Sequence, residues 1–253
     1  MNQSPIHKAL SILRKHNVRA LLMGGQACIL YGAAEFSRDI DLAVLADERN
    51  LSRLQAALGE LNAAPVFVPP LSASALLRGH ACHFRCARAG VEGLRIDVMS
   101  VLQGCESFSK LWSRRQTLSL PGVGRVRLLA LADLVQAKKT QRDKDWPMIR
   151  RLVEADYYRR SSRLTRERIV FWLREARTSE ILVALCRRYP AAARRLAAVR
   201  PVLRPALRGD RAGVERALQA EQERARRLDR QYWEPRRAEL ARWRRSKRDN
   251  SLT

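Results

Sequence analysis

Residues 21–45, LLMGGQACILYGAAEFSRDIDLAVL, decide how the rest of the chain is read. An apolar run ends in Gly24 and Gly25, a helix-compatible segment follows, and a second apolar run opens with Asp39 and Asp41 one residue apart. The economical reading is strand, phosphate turn, helix, acidic strand. Gly24 and Gly25 let the backbone turn sharply and leave no side chain between it and a ligand, while free N–H groups at the start of the following helix attract anions. Side chains alternate along a strand, so Asp39 and Asp41 project together while Ile40 and Leu42 face a core. Two carboxylates about 4 Å apart repel by roughly 4 kcal/mol at an effective dielectric near 20. A divalent cation offsets that cost, and magnesium takes oxygen ligands, often one or two carboxylates completed by substrate phosphates. A Gly-Gly alone is a turn and an Asp-x-Asp alone is a solvated strand edge; the combination at this spacing carries the reading.

Around that stretch the composition is that of a soluble globular protein: 253 residues, 46% hydrophobic and 29% charged, enough for one large domain or two modest ones. No apolar run approaches the roughly 20 residues of a membrane helix, and the N-terminus lacks the layout of a signal peptide, so a cytoplasmic location is expected. Five scattered cysteines (Cys28, Cys82, Cys86, Cys105, Cys186) suit reduced thiols better than a disulfide framework. The net charge of +24 predicts attraction to nucleic acid or another polyanion. Codon bias accounts for arginine in place of lysine but not for the shortage of acids. Residues 151–253 hold 28 basic and 13 acidic residues, against 21 and 12 in residues 1–150, so the excess lies toward the C-terminus.

Along the chain, Ser4-Pro5 opens a helix whose stripe of Ala9, Leu10, Ile12 and Leu13 runs to His16. Residues 47–61 repeat leucine at helical spacing, and residues 65–70 form a short strand or extended edge. Residues 81–87 and 94–101, separated by the turn-like AGVEG of residues 89–93, form a hairpin. Its second arm carries Asp97 among strand formers. A buried aspartate is costly unless paired, protonated or metal-bound, and a salt bridge to Arg95 is the alternative to a functional role. The segment HACHFRC, residues 80–86, packs four possible zinc ligands together, yet alternation places His83 opposite His80, Cys82 and Cys86. A strand with buried cysteines is the competing reading.

Residues 117–120 and 125–129 flank a Pro-Gly-Val-Gly turn, and residues 131–139, LADLVQAKK, lead into the charged cluster Arg142 to Asp145. Beyond about residue 158 the composition becomes helical, with helices expected over 165–175, 179–188, 191–199 and 212–228, punctuated by prolines and Gly209. The tail alternates Arg236, Arg237 and the basic run 242–248 with Trp233 and Trp243. It reads either as a phosphate-gripping, base-stacking segment or as a solvated helix with two packed tryptophans.

Gly-Gly, about a dozen residues, then Asp-apolar-Asp-apolar resembles the signature of the nucleotidyltransferase superfamily with a DNA polymerase beta-like core, in particular its small bacterial branches near the AbiEii-type toxins and minimal nucleotidyltransferases. The resemblance covers roughly residues 8–155. It implies an α/β fold, a nucleotidyltransferase-type mixed β-sheet with flanking helices over residues 1–158, followed by a smaller, basic all-α domain over residues 159–253.

The resemblance further implies a magnesium-dependent transfer of an NMP from an NTP to an acceptor hydroxyl. Asp39 and Asp41 would bind two magnesium ions. Asp97 would be the third carboxylate, joining one ion and accepting the hydroxyl's proton. Gly24, Gly25 and Ser37 would hold the triphosphate, with Arg38 and one of Lys138 and Lys139 as further contacts and Lys144 or Asp145 in support. Relatives often carry an arginine and a threonine where Glu35 and Ser37 stand here. RNA, with a tRNA end as one form, is the expected acceptor, and an antitoxin is a possible protein partner. Two rivals stay open: a catalytically inactive nucleotide or RNA binder, and an enzyme that modifies a protein or small molecule.

Overall fold

Ser4 and Pro5 start the first helix, α1 (Pro5–Lys15), with the Ser4 hydroxyl accepting the His7 amide at 3.3 Å. The computed structural model of the chain describes residues 4–34, 36–160, 162 and 164–249, with side chains as far as residue 246. After α1 come β1 (Ala20–Met23), α2 (Gly24–Leu30), β2 (Asp39–Val44), α3 (Glu48–Glu60), β3 (Ala63–Pro65) and α4 (Ala73–Leu77). They are followed by β4 (Cys82–Cys86), β5 (Arg95–Met99), α5 (Phe108–Ser113), β6 (Gln116–Leu120), β7 (Gly124–Leu128) and α6 (Leu131–Ala137). The strands form one mixed seven-stranded sheet in the order β3-β4-β5-β2-β1-β7-β6.

The sheet is mixed: β1 with β2 and β3 with β4 are antiparallel pairs joined through α2 and α4, short connections give two more, and the remaining neighbours run parallel. β4 with β5 and β6 with β7 are hairpins; β2 with β5, and β1 with β7, run parallel. One face is apolar. Leu22, Ile40, Leu42, Ile96, Val98, Phe84 and Leu128 are buried there, and Leu10 and Leu13 of α1 line a cavity together with Leu22, Leu42 and Val126. Asp47 caps α3 through the Asn50 amide at 2.6 Å, and Asn50 in turn donates to the carbonyls of Arg19 and Leu45.

Residues 138–249 are helical: α7 (Asp145–Arg160), α8 (Arg166–Glu175), α9 (Ser179–Arg188), α10 (Pro190–Leu196), α11 (Leu203–Leu207) and α12 (Arg211–Asp249). Two compact units result. The first comprises the described residues of Met1–Leu30, Glu35–Ala137 and Tyr232–Thr253, the second those of Tyr31–Ala34 and Lys138–Gln231. This spatial grouping divides the chain differently from a single cut after residue 158. Inside the second unit Trp172 is fully buried, donates from Nε1 to Asp156 at 2.9 Å and meets the Tyr157 ring edge-on. The Arg200 guanidinium donates to the Leu173 and Ala176 carbonyls at the end of α8 and is clamped by Glu221. A buried cation at a helix C-terminus is favourable there because it meets the negative end of the helix dipole.

Several boundaries depart from the sequence expectation. The strand expected over residues 65–70 is found at Ala63–Pro65 instead, and Pro69 and Pro70, which lack amide hydrogens, lie outside it. α4 and α5 have five and six residues, too short for any periodicity to announce them. The helix expected over 212–228 continues to Asp249 through Pro235, carried by a run rich in Arg, Glu, Ala and Leu. Trp243 of its last turns lies 4.9 Å from the His80 ring and under Arg78, both in the first unit with it. The packed-tryptophan reading of the tail therefore holds for Trp243. Among the described residues no helix is long and apolar enough to cross a membrane.

Candidate active site

Gly24 follows β1 and opens α2 with φ +64°, a left-handed backbone that favours glycine. Space enforces the choice as well: a Cβ on Gly24 would stand 1.7 Å from Asp41 Oδ2, and one on Gly25 would stand 2.3 Å from Ser37 Oγ. Each glycine thus makes room for one side chain, the first for a carboxylate and the second for a hydroxyl. Ser37 is half-buried, donates to the Asp39 carbonyl at 3.4 Å, and through its own carbonyl accepts from Gln26.

The three aspartates share one face of the sheet. Register fixes this: Met23 of β1 stands opposite Asp41 of β2, Asp41 opposite Asp97 of β5, and Asp97 opposite His83 of β4. The neighbouring rung carries Asp39 opposite Arg95 and Arg95 opposite Arg85. Like charges directly opposite destabilise a sheet, and this one gives Asp97 two hydrogen-bonding partners. Arg95 donates Nε to Asp97 Oδ1 at 3.0 Å and NH2 to Oδ2 at 2.6 Å, and His83 Nδ1 lies 2.8 Å from Oδ1. The Arg95 guanidinium is also drawn electrostatically to Asp39 and Asp41, so one cation faces three carboxylates. Burial pushes the Asp97 carboxyl upward, but hydrogen bonds from His83 and Arg95 outweigh it and hold Asp97 below the ordinary carboxylate range.

The salt bridge foreseen as an alternative for Asp97 is present, and it coexists with the register that brings Asp97 beside Asp41. His83 is the residue that sequence reasoning left out. Alternation alone placed it opposite Cys82 and Cys86; only the β4–β5 register puts it against Asp97. The rest of the 80–86 segment is structural. Burial pushes the Cys82 and Cys86 thiols up to about 11, and the buried His80 bonds Glu239 through Nε2 at 2.7 Å. Among the described residues no three His, Cys, Asp or Glu side chains are grouped so as to hold a metal ion by themselves.

The remaining candidates scatter. Arg38 is exposed and rests on the Phe36 ring; Glu35 lies outside the described residues. α6 ends at Ala137, before the lysines it was expected to carry. Lys138, Lys139 and Lys144 belong to the second unit. There Lys138 pairs with the buried Asp145 at 3.2 Å and Lys139 with Glu175 at 2.8 Å, while Lys144 is exposed. Asp145 is the centre of its own cluster, accepting also from Thr140 and Arg142.

No family model matches the chain. No curated protein matches it either. Solved structures similar to it include a protein from H. pylori provisionally named a nucleotidyltransferase, at 13% identity and TM-score 0.40, covering 89% of this chain and 97% of that one. Another is JHP933 from Helicobacter pylori, at 10% identity and TM-score 0.35, covering 93% of this chain and 94% of that one.

Proposed function

We propose that the chain is a nucleotidyltransferase that moves an NMP from an NTP to an acceptor hydroxyl. The observation that carries this reading is the rung joining Asp41 to Asp97, with Asp39 on the same face and Gly24 making room for the Asp41 carboxylate. Magnesium suits these donors in kind, because it is held by one or two carboxylates plus substrate phosphates rather than by an all-protein cage. Asp39 and Asp41 would hold it together with phosphate oxygens, and Asp97 is the third carboxylate. Bound there, it would neutralise charge on the entering and leaving oxygens.

The chain's own groups do the rest. Asp97, kept ionised by Arg95 and His83, accepts the proton of the acceptor hydroxyl. The freed oxygen forms a bond to the α-phosphorus as the bond to the bridging oxygen breaks, and pyrophosphate leaves. Gly24, Gly25 and Ser37 border the place for the phosphates, and Arg38 is the further contact this reading assigns. RNA is the acceptor favoured by the net charge of +24; a toxin role and an antitoxin partner rest on the sequence resemblance.

A second reading is favoured by one observation: both Asp97 oxygens are engaged by Arg95 and His83. A chain whose third carboxylate stays so engaged binds nucleotide without transferring it. Incubation with each α-labelled NTP, magnesium and total RNA or lysate separates the two. Label entering a macromolecule, and lost in Asp41→Asn and Asp97→Asn, supports transfer; nucleotide binding without label transfer supports the idle binder.

A further inference from the structure

Trp112, on α5, gathers arginines. The guanidinium carbons of Arg19, Arg115 and Arg127 lie 5.5, 4.5 and 5.2 Å from the centre of its ring. Arg125, two residues before Arg127 on β7, adds its charge to the same group, and burial together with Arg115, Arg125 and Arg19 depresses the Arg127 pKa. Among the described residues none of these four guanidiniums has a carboxylate partner. Arg115 donates to the Trp112 carbonyl, and its buried Nε has no hydrogen-bond partner. The neighbouring Arg114 shows the contrast: it forms two bonds of 2.7 Å to Asp133 and a third to Glu106. The chain supplies acids to Arg114 and none to this group of four, three of which lie over one aromatic ring.

We infer that this group is a binding surface for the phosphodiester backbone of a single nucleic-acid strand. Arg19 and Arg125 are exposed and free to meet phosphate oxygens with their N–H groups, and the half-buried Arg115 and Arg127 add charge beside them. Arg125 and Arg127 follow one another on the same strand face about 7 Å apart, on the order of the distance between successive phosphates of one strand. The exposed Ser119 and Thr117 stand opposite them on β6 and add hydroxyl donors. A duplex would set its second backbone beyond the edge strand β6, where the patch ends. Trp112 is half-buried beneath its arginines, so no apolar side chain projects from the group to enter a bilayer.

The placement also ties the surface to the acidic rung. Leu22 pairs with Leu128, so alternation sets Arg127 level with Leu21, on the face that carries Met23, Asp41 and Asp97. From Asp41 to Arg127 the path is two strands across and about two residues along, on the order of 12 Å. A strand lying on the arginines could therefore present its end to the aspartates. Binding itself does not depend on the transfer reaction.

The test is fluorescence anisotropy of a labelled uridine oligomer with the full chain over a range of salt. Arg125→Gln with Arg127→Gln should weaken binding at least about tenfold and reduce the log–log salt slope by about one to two. Arg194→Gln with Arg195→Gln removes the same charge from exposed positions of the second unit and should leave affinity within about twofold. Equal losses in the two double variants would overturn the proposal, since net charge alone would then account for binding. Competition by inorganic polyphosphate, duplex DNA or phosphatidylserine vesicles at least as strong as by unlabelled single strand would overturn it too. Trp112→Phe, which keeps a ring, should bind more tightly than Trp112→Leu, and indifference to that pair would remove the aromatic platform from the argument. Asp41→Asn should bind as the wild type does, so a lost transfer reaction and a lost binding surface are told apart.

Discussion

Asp41 and Asp97 face each other as register partners across the parallel pair β2–β5, with Asp39 one rung away opposite Arg95. Two carboxylates in direct cross-strand opposition destabilise the sheet that holds them, so neutralising Asp41 should not weaken the fold. Asp41→Asn is expected to unfold at an equal or higher urea concentration than the wild type while losing NMP transfer by at least about 100-fold, the scale of removing one charge-stabilising group at a reaction centre. A sharp fall in the urea midpoint would make Asp41 a structural residue instead.

Gly25 is expected to tolerate no side chain while Ser37 is in place. A Cβ there would meet Ser37 Oγ at 2.3 Å and Ser37 Cβ at 2.7 Å, a short side chain with nowhere to swing. Gly25→Ala should cost about 1–3 kcal/mol, as overpacking does, and Ser37→Gly in the same chain should recover most of it. Denaturant titration of both single variants and the double variant measures the coupling. Additive effects would remove the close approach of Ser37 from the account.

Glu60 governs an acid-sensitive part of the first unit. Hydrogen bonds from Lys15 and His16, and then from Arg88, lower its carboxyl from 4.5 to about 2 against the opposing effect of burial. Because the folded value lies below the unfolded one, its contribution is fully present above about pH 5 and is lost as pH falls toward 2. Urea midpoints across that window should fall less steeply in Glu60→Gln than in the wild type. The same slope in both would show that these contacts do not stabilise the fold.

Trp172 anchors the helices of the second unit, buried completely and bonded to Asp156. Trp172→Ala should cost about 3–5 kcal/mol, and Asp156→Ala should cost less, about 1–3 kcal/mol, because it leaves the indole N–H without its partner. Thermal unfolding followed by circular dichroism would rank the two. A milder Trp172→Ala than Asp156→Ala would contradict the packing described.

Much of the site could be read along the chain because the physics there is local. The side-chain period of two put Asp39 and Asp41 on one face with Ile40 and Leu42 on the other, as observed. Glycine chemistry marked the turn at Gly24, the Ser4 cap set the start of α1, and the helices expected from residues 47 and 165 begin one residue on, at Glu48 and Arg166. Short helices without periodicity and the run of α12 through Pro235 went unread, since neither leaves a repeating signal.

What the linear chain determined by itself was therefore the α/β alternation, the acidic strand and the strong positive charge, each fixed by neighbours a few residues apart. The tertiary structure alone decided that Asp97 stands beside Asp41, that His83 and Arg95 are its partners, and that Trp112 collects arginines from three parts of the chain. Those relations depend on strand register and on contacts such as Arg19 with Trp112, 93 positions apart in the sequence. No periodicity encodes a pairing between segments so distant; only the packed sheet chooses it.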